Sequence, residues 1–581
     1  MAEILQRNLS AELSSFDGDL PDWLIRILLA RGVNSLDQLS SDLSRMHSPQ
    51  LMLGMEGAVE LVEQAIRQNQ KILIVGDYDA DGATSCALAV RSLRAMGAEK
   101  VDFLVPDRFK FGYGLSPEIV QVAAERSPDL LITVDNGISS IAGVKAAKTL
   151  GMQVLVTDHH LPGETLPAAD AILNPNQSGC DFPSKNLAGV GVFFNLMLAL
   201  RKSLRDSGWF VQKQISEPNM SQWLDIVALG TVADLVPLDE GNRLLVSRGL
   251  SRIRSGRGNV GIRALLEVAG KEFQLTRSTD LGFVVGPRIN AAGRLEDISL
   301  GIKCLLTDDE TTAREIASQL QQLNQDRRSI QEQMQQEAEH AMGSLDIDLS
   351  ELPWGLCLFQ KDWHAGVVGL IASRIKDRWH RPTIVFAAEE GGSQQENRKL
   401  KGSGRSISGL HIRDVLEGIA TRCPDLICQF GGHAMAAGLS IKADRYEEFA
   451  QEFDFEVRTR LDKEQLIETL LTDGELPAEA LNLDSAKLIE EICPWGQAFP
   501  EPLFEGDFVI ESSRILKEKH LKLGLRIEAG SKTLDAIWFS TPVEHLNIGA
   551  GKRGRFVYRL QINRYRGLET EQLMIEQFLP A

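Results

Sequence analysis

Short apolar runs alternate with amphipathic stretches through the first third of the chain. A helical pattern over 55–69 leads into an apolar strand at 71–76, then a helix over 83–96 and a strand from Val101 to Pro106. Helix 117–126, strand 129–134, helix 139–150 and strand 153–157 repeat the alternation. Apolar strands of this length separated by helices predict a parallel sheet with crossover helices. Residues 161–190 are rich in Pro, Gly and Asn and read as a loop-rich connection, with helices following at 190–205 and 221–230. From 309 to 343 no Gly or Pro interrupts a charged helical pattern until its last residue, which predicts a connector about 50 Å long. A second α/β unit is expected over 353–455, with a strand at 355–360, a helix at 367–378 and a strand at 383–387. Residues 456–492 read as acidic and helical. Beyond about 500, short alternating segments around 508–510, 521–527, 534–539, 556–562 and 571–578 predict a small β barrel. Residues 1–50, with an amphipathic stretch from Leu20 to Ala30, read as a helical lead-in.

The predicted strand ends carry the chemistry. In parallel sheets, active residues gather beyond the carboxyl ends of the strands. Strand 71–76 runs into Asp77, Asp79 and Asp81, strand 129–134 into Asp135-Asn136-Gly137, and strand 153–157 into Asp158-His159-His160. Clustered carboxylates beside a buried strand repel one another and lose hydration unless a cation neutralises them. A solvated turn is the bland explanation of any one such stretch, but three equivalent strand ends in series argue against it. A helix–loop–helix calcium site is disfavoured because Leu88 stands where a late acidic ligand is needed and a strand precedes the loop. Asp234 lies in an otherwise apolar run, so a partner is implied; a helix cap or an arginine accounts for it equally well.

Composition narrows the setting. The 581 residues carry a formal charge of −18, which argues against a protein that coats nucleic acid indiscriminately. Local basic excess nevertheless occurs. Arg243, Arg248, Arg252, Arg254, Arg257 and Arg263 form either a solvated helix face or a phosphate-contacting surface. Arg288-Ile-Asn290-Ala-Ala-Gly-Arg294 reads as a small-residue loop suited to close approach by a substrate. Gly402-Ser403-Gly404-Arg405-Ser406 and Gly431-Gly432-His433 read as glycine loops entering helices, with backbone N–H groups offered to anions and His364 beside them. In the barrel, Arg514, Lys517, Lys519, Lys522 and several arginines accompany Phe539, Tyr558 and Tyr565 as candidate stacking faces, while Trp538 and Phe556 are expected in its core. Seven cysteines at irregular spacing form no disulfide framework. With no apolar run long enough to span a bilayer and no basic–apolar leader, a cytoplasmic setting is expected.

The motifs Gly76-Asp-Tyr-Asp-Ala-Asp-Gly82, Asp135-Asn-Gly, Asp158-His-His and Asp234 resemble those of the DHH phosphoesterase superfamily. Gly402–Ser406 and Gly431–His433 resemble its associated second domain. Together with Arg288–Arg294 and a C-terminal barrel, the combination is similar to the bacterial 5′→3′ exonucleases specific for single-stranded DNA. The resemblance covers about 50–581. It implies a parallel-sheet catalytic domain (51–305) after the lead-in (1–50), a connecting helix (306–345), a second α/β domain (346–455) and a helical linker with an oligonucleotide-binding barrel (456–581). It implies two Mn²⁺ or Mg²⁺ ions held by Asp77, Asp79, Asp81, Asp135, His159 and Asp234, with Asp135 as a bridge, Asp158 orienting the histidines and His160 on the scissile phosphate. Arg288, Asn290, Arg294, Ser403, Arg405, Gly432 and His433 would hold the strand. It also implies release of 5′-mononucleotides, roles in recombination and mismatch repair, and work beside a helicase and a single-strand-binding protein. A small-substrate phosphodiesterase of the same superfamily would not need the barrel, and a non-catalytic replication scaffold would not need every ligand candidate.

Overall fold

The structure is a computed structural model that describes residues 3–106, 114–343, 352–389, 399–432, 434–527 and 532–580. The chain divides into two compact units: Gln6–Gln321 with Leu471–Ala581, and Met1–Leu5 with Gln322–Leu470. The barrel thus groups with the parallel sheet although the second unit separates them in sequence.

In the first unit, β1 (Ile72–Gly76), β2 (Val101–Leu104), β3 (Leu130–Val134), β4 (Gln153–Thr157) and β5 (Ala171–Leu173) form a wholly parallel sheet in the order β2-β1-β3-β4-β5. Every residue of β1 and β3 is buried, as expected where helices cover both faces. One face packs Leu73, Val75, Leu131, Val154 and Val156 against Ile119, Val120, Val144 and Ala147 from the crossover helices. Helix α1 (Ala80–Ala95) follows β1 and is buried nearly all round, so its Ala, Gly and Ser residues serve close packing rather than an amphipathic face. Helices α2 (Gly189–Asp206) and α3 (Leu224–Ala233) pack against it.

Residues 286–295 are not the expected loop but a helix, α4 (Gly286–Leu295), entered through a π-helical turn at Leu281–Val285. The long helix α5 spans Glu310–Gly343. Among its described residues the lead-in, expected to be helical, contains a strand, Glu3–Gln6, and one α-helix, Asp22–Leu29, with short 3₁₀ turns.

In the second unit, β6 (Leu356–Phe359), β7 (Thr383–Ala388), β8 (Lys399–Arg405), β9 (Ile427–Gly432) and β10 (Ala436–Lys442) form a mixed sheet in the order β9-β10-β8-β7-β6. Only β6 and β7 pair in parallel. The segments containing Ser403, Arg405 and Gly432 are therefore strands, not glycine loops entering helices. Their glycines make room for large neighbours: a Cβ on Gly402 would meet the Phe386 ring at 2.5 Å and Leu439 at 2.7 Å. Helix α6 (Val368–Trp379) covers this sheet.

The expected helix over 456–492 is also corrected. Helix Tyr446–Arg460 stops, Thr469–Thr472 is a strand, and a helix resumes only at Leu483–Ile492. Asp473-Gly474 and Pro477 interrupt the pattern, and Gly474 has φ +84°. The barrel closes in the order β11 (Phe504–Leu516), β12 (His520–Ile527), β13 (Thr533–Trp538), β15 (Leu568–Pro580), β14 (Arg553–Tyr565). Trp538 and Phe556 fill its interior as expected, but so does Tyr558, which is 1% exposed and offers no stacking face. Phe539 and Tyr565 remain exposed. Much of the barrel's basic excess is paired, Arg555 with Asp507 and Glu475, and Arg564 with Glu490 and Glu569. Among the described residues no helix is long and apolar enough to cross a membrane, and all seven cysteines are unbridged.

A buried ion pair ties the lead-in to the entry of the barrel. Arg31 donates to Asp473 Oδ1 and Oδ2 at 2.6 and 2.9 Å and to the Pro500 carbonyl at 2.8 Å, with its guanidinium 5.5 Å from the Trp495 ring. Both side chains are 1% exposed. Removing one partner strands a buried charge, so Asp473→Ala is expected to destabilise the chain by about 3–5 kcal/mol in denaturant titration, and Arg31→Met with Asp473→Leu by clearly less.

Candidate metal centre and nucleic-acid site

The carboxyl edge of the parallel sheet is where the acidic residues meet. Asp79 caps α1, its Oδ1 accepting from the N–H groups of Asp81 and Gly82 at 2.9 and 3.1 Å. That turn brings Asp77 back over the strand end. Asp81, on the first turn of α1, accepts from Gly189 N at 2.6 Å and Val190 N at 3.0 Å, so it sits at the positive end of α2. Asp135 follows β3 with φ +62°, a left-handed conformation that aspartate tolerates better than most residues. Asp234 is the C-cap of α3.

These side chains form three overlapping groups, with ligand atoms in each within 4.8 Å of one another: Asp77, Asp79 and Asp135; Asp81, His159 and Asp234; Asp135, His159 and His160. His159 Nε2 lies 3.1 Å from Asp135 Oδ1 and 3.4 Å from Asp234 Oδ2. All six expected ligand positions are therefore in one cluster, and Asp135 and His159 are each shared by two groups. Burial and the charge of Asp79 push Asp81 up to about 7. Burial and the charge of Asp81 hold Asp135 and Asp234 well above the usual carboxylate range. Carboxylate oxygens with one or two imidazoles form a donor set that suits hard or borderline divalent cations such as Mg²⁺ and Mn²⁺.

Asp158 plays a different part. Burial alone would raise its pKa, but its hydrogen bond to His160 and the charges of both histidines bring it below the usual range. Its Oδ1 accepts from His159 N at 2.7 Å and His160 N at 3.1 Å and meets His160 Nδ1 at 2.7 Å, while Oδ2 accepts from Ile138 N at 2.9 Å. Burial would lower His160, but Asp158 and the charges of Asp77 and Asp79 raise it above its ordinary value.

Several residues that build this site escape a reading of the sequence. At the end of β5, Asn174 Nδ2 donates to the His160 carbonyl at 2.8 Å and Asn176 Nδ2 to the His159 carbonyl at 2.6 Å. The signal was a fourth strand end, Asn174-Pro-Asn176, within what reads as a loop. Glycines set the clearance: a Cβ on Gly189 would lie 2.6 Å from Asp135 Cβ, and one on Gly230 would lie 2.8 Å from Asp81 Oδ1.

The expected substrate residues are distributed as follows. Helix α4 lies on the aspartate turn: Asn290 Oδ1 accepts from Ala80 N at 2.7 Å, and a Cβ on Gly293 would be 2.2 Å from the Tyr78 carbonyl oxygen. The close approach made by these small residues is thus to the Tyr78–Ala80 backbone. Arg288 is buried and donates to Gln321 Oε1 at 2.8 Å and to the Val284 carbonyl at 2.5 Å; Arg294 is half-buried. In the second unit, Arg405 Nη1 donates to Ser403 Oγ at 3.1 Å, and both side chains lie at the first turn of α6, where a Cβ on Gly369 would be 2.9 Å from each. Burial lowers the Arg405 pKa. Gly432 ends β9 with φ +147°, and His433 lies outside the described residues. The arginine run over 243–263 is largely structural. Arg243 lies 4.5 Å from the Phe499 ring, Arg254 donates to the Thr276 carbonyl and Arg263 pairs with Glu310.

Comparison with known proteins matches three family models: DHH family, N-terminal domain, over 71–231; DHHA1 domain over 354–459; and RecJ OB domain over 472–577. The single-stranded-DNA-specific exonuclease RecJ of Dickeya dadantii is 50% identical over 99% of both chains, and that of Escherichia coli 48% identical over 99% of both. The crystal structure of RecJ in complex with Mn²⁺ from Thermus thermophilus superposes with a TM-score of 0.79 at 27% identity, covering 100% of this chain and 79% of the other. The Mg²⁺ complex of the same protein gives 0.73 at 25% identity, covering 99% and 78%.

The raised carboxylates fix how cations and protons compete here. Groups whose folded pKa lies above the ordinary 3.8 stabilise the cation-free fold at low pH and lose that contribution as pH rises through their folded values. Mn²⁺ displaces the protons. The gain in thermal midpoint on adding Mn²⁺ is therefore expected to grow from pH 5.5 to pH 8, with protons released on binding near pH 6. A gain that is constant or shrinks over that range contradicts the assignment.

Proposed function

The chain belongs to the RecJ family of single-stranded-DNA-specific exonucleases, and from that premise we propose how its residues divide the work. It is a metal-dependent exonuclease that degrades single-stranded DNA 5′→3′, with Mn²⁺ or Mg²⁺ as cofactor. The observation that carries the residue assignment is the convergence of Asp77, Asp79, Asp81, Asp135, His159 and Asp234 in overlapping ligand groups. Asp135 would bridge the two cations, and His159 would be a ligand to one of them through Nε2. Asp77, Asp79 and Asp81 serve on the β1 side, and Asp234 completes the set from α3.

Two divalent cations supply Lewis-acid polarisation of a phosphate and a water acidic enough to ionise near neutral pH. The protein's own groups do the rest. Asp158 fixes the His160 ring through Nδ1 and favours its protonated form, so that His160 donates to a non-bridging oxygen of the scissile phosphate. Asn174 and Asn176 hold the backbone carbonyls of both histidines and so keep their rings on station. Asn290 and Gly293 brace the aspartate turn. Arg294, and Arg405 with Ser403 at the first turn of α6, bind phosphates of the strand, while Arg288 positions α4. The barrel follows the single strand through exposed Phe539 and Tyr565 and its basic side chains. The products are 5′-mononucleotides. The working setting is the cytoplasm, in recombination and mismatch repair, beside a helicase and a single-strand-binding protein.

The test is incubation of 5′- or 3′-labelled single-stranded and blunt duplex DNA with Mn²⁺ or with EDTA. The expected result is early release of labelled mononucleotide from the 5′ label only, on the single strand only, and none in EDTA. Release from the 3′ label first, or equal attack on duplex, overturns the reading.

A further inference from the structure

Two large apolar side chains are held out to solvent on backbone that packs at the Asp234 end of α3. Leu235 directly follows Asp234 and is 59% exposed. Its φ is +59°, a left-handed conformation in which helices usually end on glycine or asparagine and where leucine is an outlier. Strain of this kind concentrates at functional sites. Phe283 is 70% exposed and sits in the π-helical turn Leu281–Val285, another rare element enriched at such sites. That turn packs on the same helix end: a Cβ on Gly282 would lie 3.2 Å from Val232 Cγ1, and one on Gly286 would lie 3.1 Å from Ala233 Cβ. Both side chains are therefore carried by backbone built around Val232–Asp234, and Asp234 Oδ2 is 3.4 Å from His159 Nε2.

We propose that Leu235 and Phe283 form an apolar lip that packs against the nucleobases flanking the scissile phosphate. The inference rests on the exonuclease reading, since that substrate delivers a phosphate to the centre and each phosphate brings a base within one sugar's reach. The occupant is an unpaired base. It has a free apolar face to offer, whereas a duplex base is already stacked and paired. Contact of this kind tolerates any sequence, because every base has such a face and no hydrogen-bonding edge is read. The lip thereby adds to selectivity for unpaired ends.

The experiment uses the full chain with Mn²⁺ and two single-stranded oligonucleotides, one ordinary and one abasic at its first two nucleotides. For the wild type, KM for the first cleavage is expected to rise about fivefold or more on the abasic strand. Leu235→Gly with Phe283→Ser, which keeps the left-handed backbone at 235, is expected to raise KM on the ordinary strand by a similar factor. It should lose the distinction between the strands and keep kcat and the thermal midpoint. Leu235→Met with Phe283→Leu is expected to restore the distinction. Equal handling of both strands by the wild type overturns the lip without needing any variant to fold, and so does undiminished discrimination by the Gly/Ser variant. Failure of the wild type to degrade even the ordinary strand overturns the exonuclease reading and the lip with it.

Discussion

Repulsion among buried carboxylates is the constraint around which the first unit is built. Asp77, Asp79, Asp81, Asp135 and Asp234 are delivered to one edge of a sheet, where their ligand atoms lie too close for distance alone to relieve the repulsion. What the fold supplies is partial: the positive end of α2 at Asp81, the first turn of α1 at Asp79, and the imidazole of His159 between Asp135 and Asp234. The remaining charge is a binding energy for cations held in reserve. The same carboxylates that destabilise the cation-free chain at neutral pH become its ligands, so affinity and strain have one source.

Clearance is the second half of that design. Gly189, Gly230 and Gly293 each stand where a single methyl group would collide with an aspartate or with the backbone that carries one. They let α2, α3 and α4 close on the centre from three directions without wider side chains between. Asn174, Asn176 and Asn290 then lock the loops through backbone hydrogen bonds. The centre is held mainly by groups that would never touch a cation.

The parallel sheet and its acidic ends were legible because both rest on local pattern: buried strands read as apolar runs, and Asp77, Asp135 and Asp158 fall at the same place after each. The misreadings share a cause in tertiary packing. Residues 286–295 contain Gly, Pro and Asn, poor helix formers, yet packing on the Tyr78–Ala80 backbone makes them helical. Residues 399–405 look like a glycine loop because the glycines are shaped by Phe386 and Leu439, which lie elsewhere in the chain. Tyr558 shares its inward parity with Phe556 and Leu560, so its burial is present in the alternation. The joining of the lead-in to the entry of the barrel depends on contacts such as Arg31–Asp473, across 442 residues, which no local pattern reveals.

The central claim is that residues from separate strand ends build one centre for two cations. Its most direct measurement is the Mn²⁺ content of purified chain after equilibration and gel filtration, by elemental analysis. Two ions per chain are expected for the wild type and fewer than one for Asp135→Ala with His159→Ala, with the thermal midpoint in EDTA not reduced. One ion or none in the wild type, or two retained in the double variant, would contradict it.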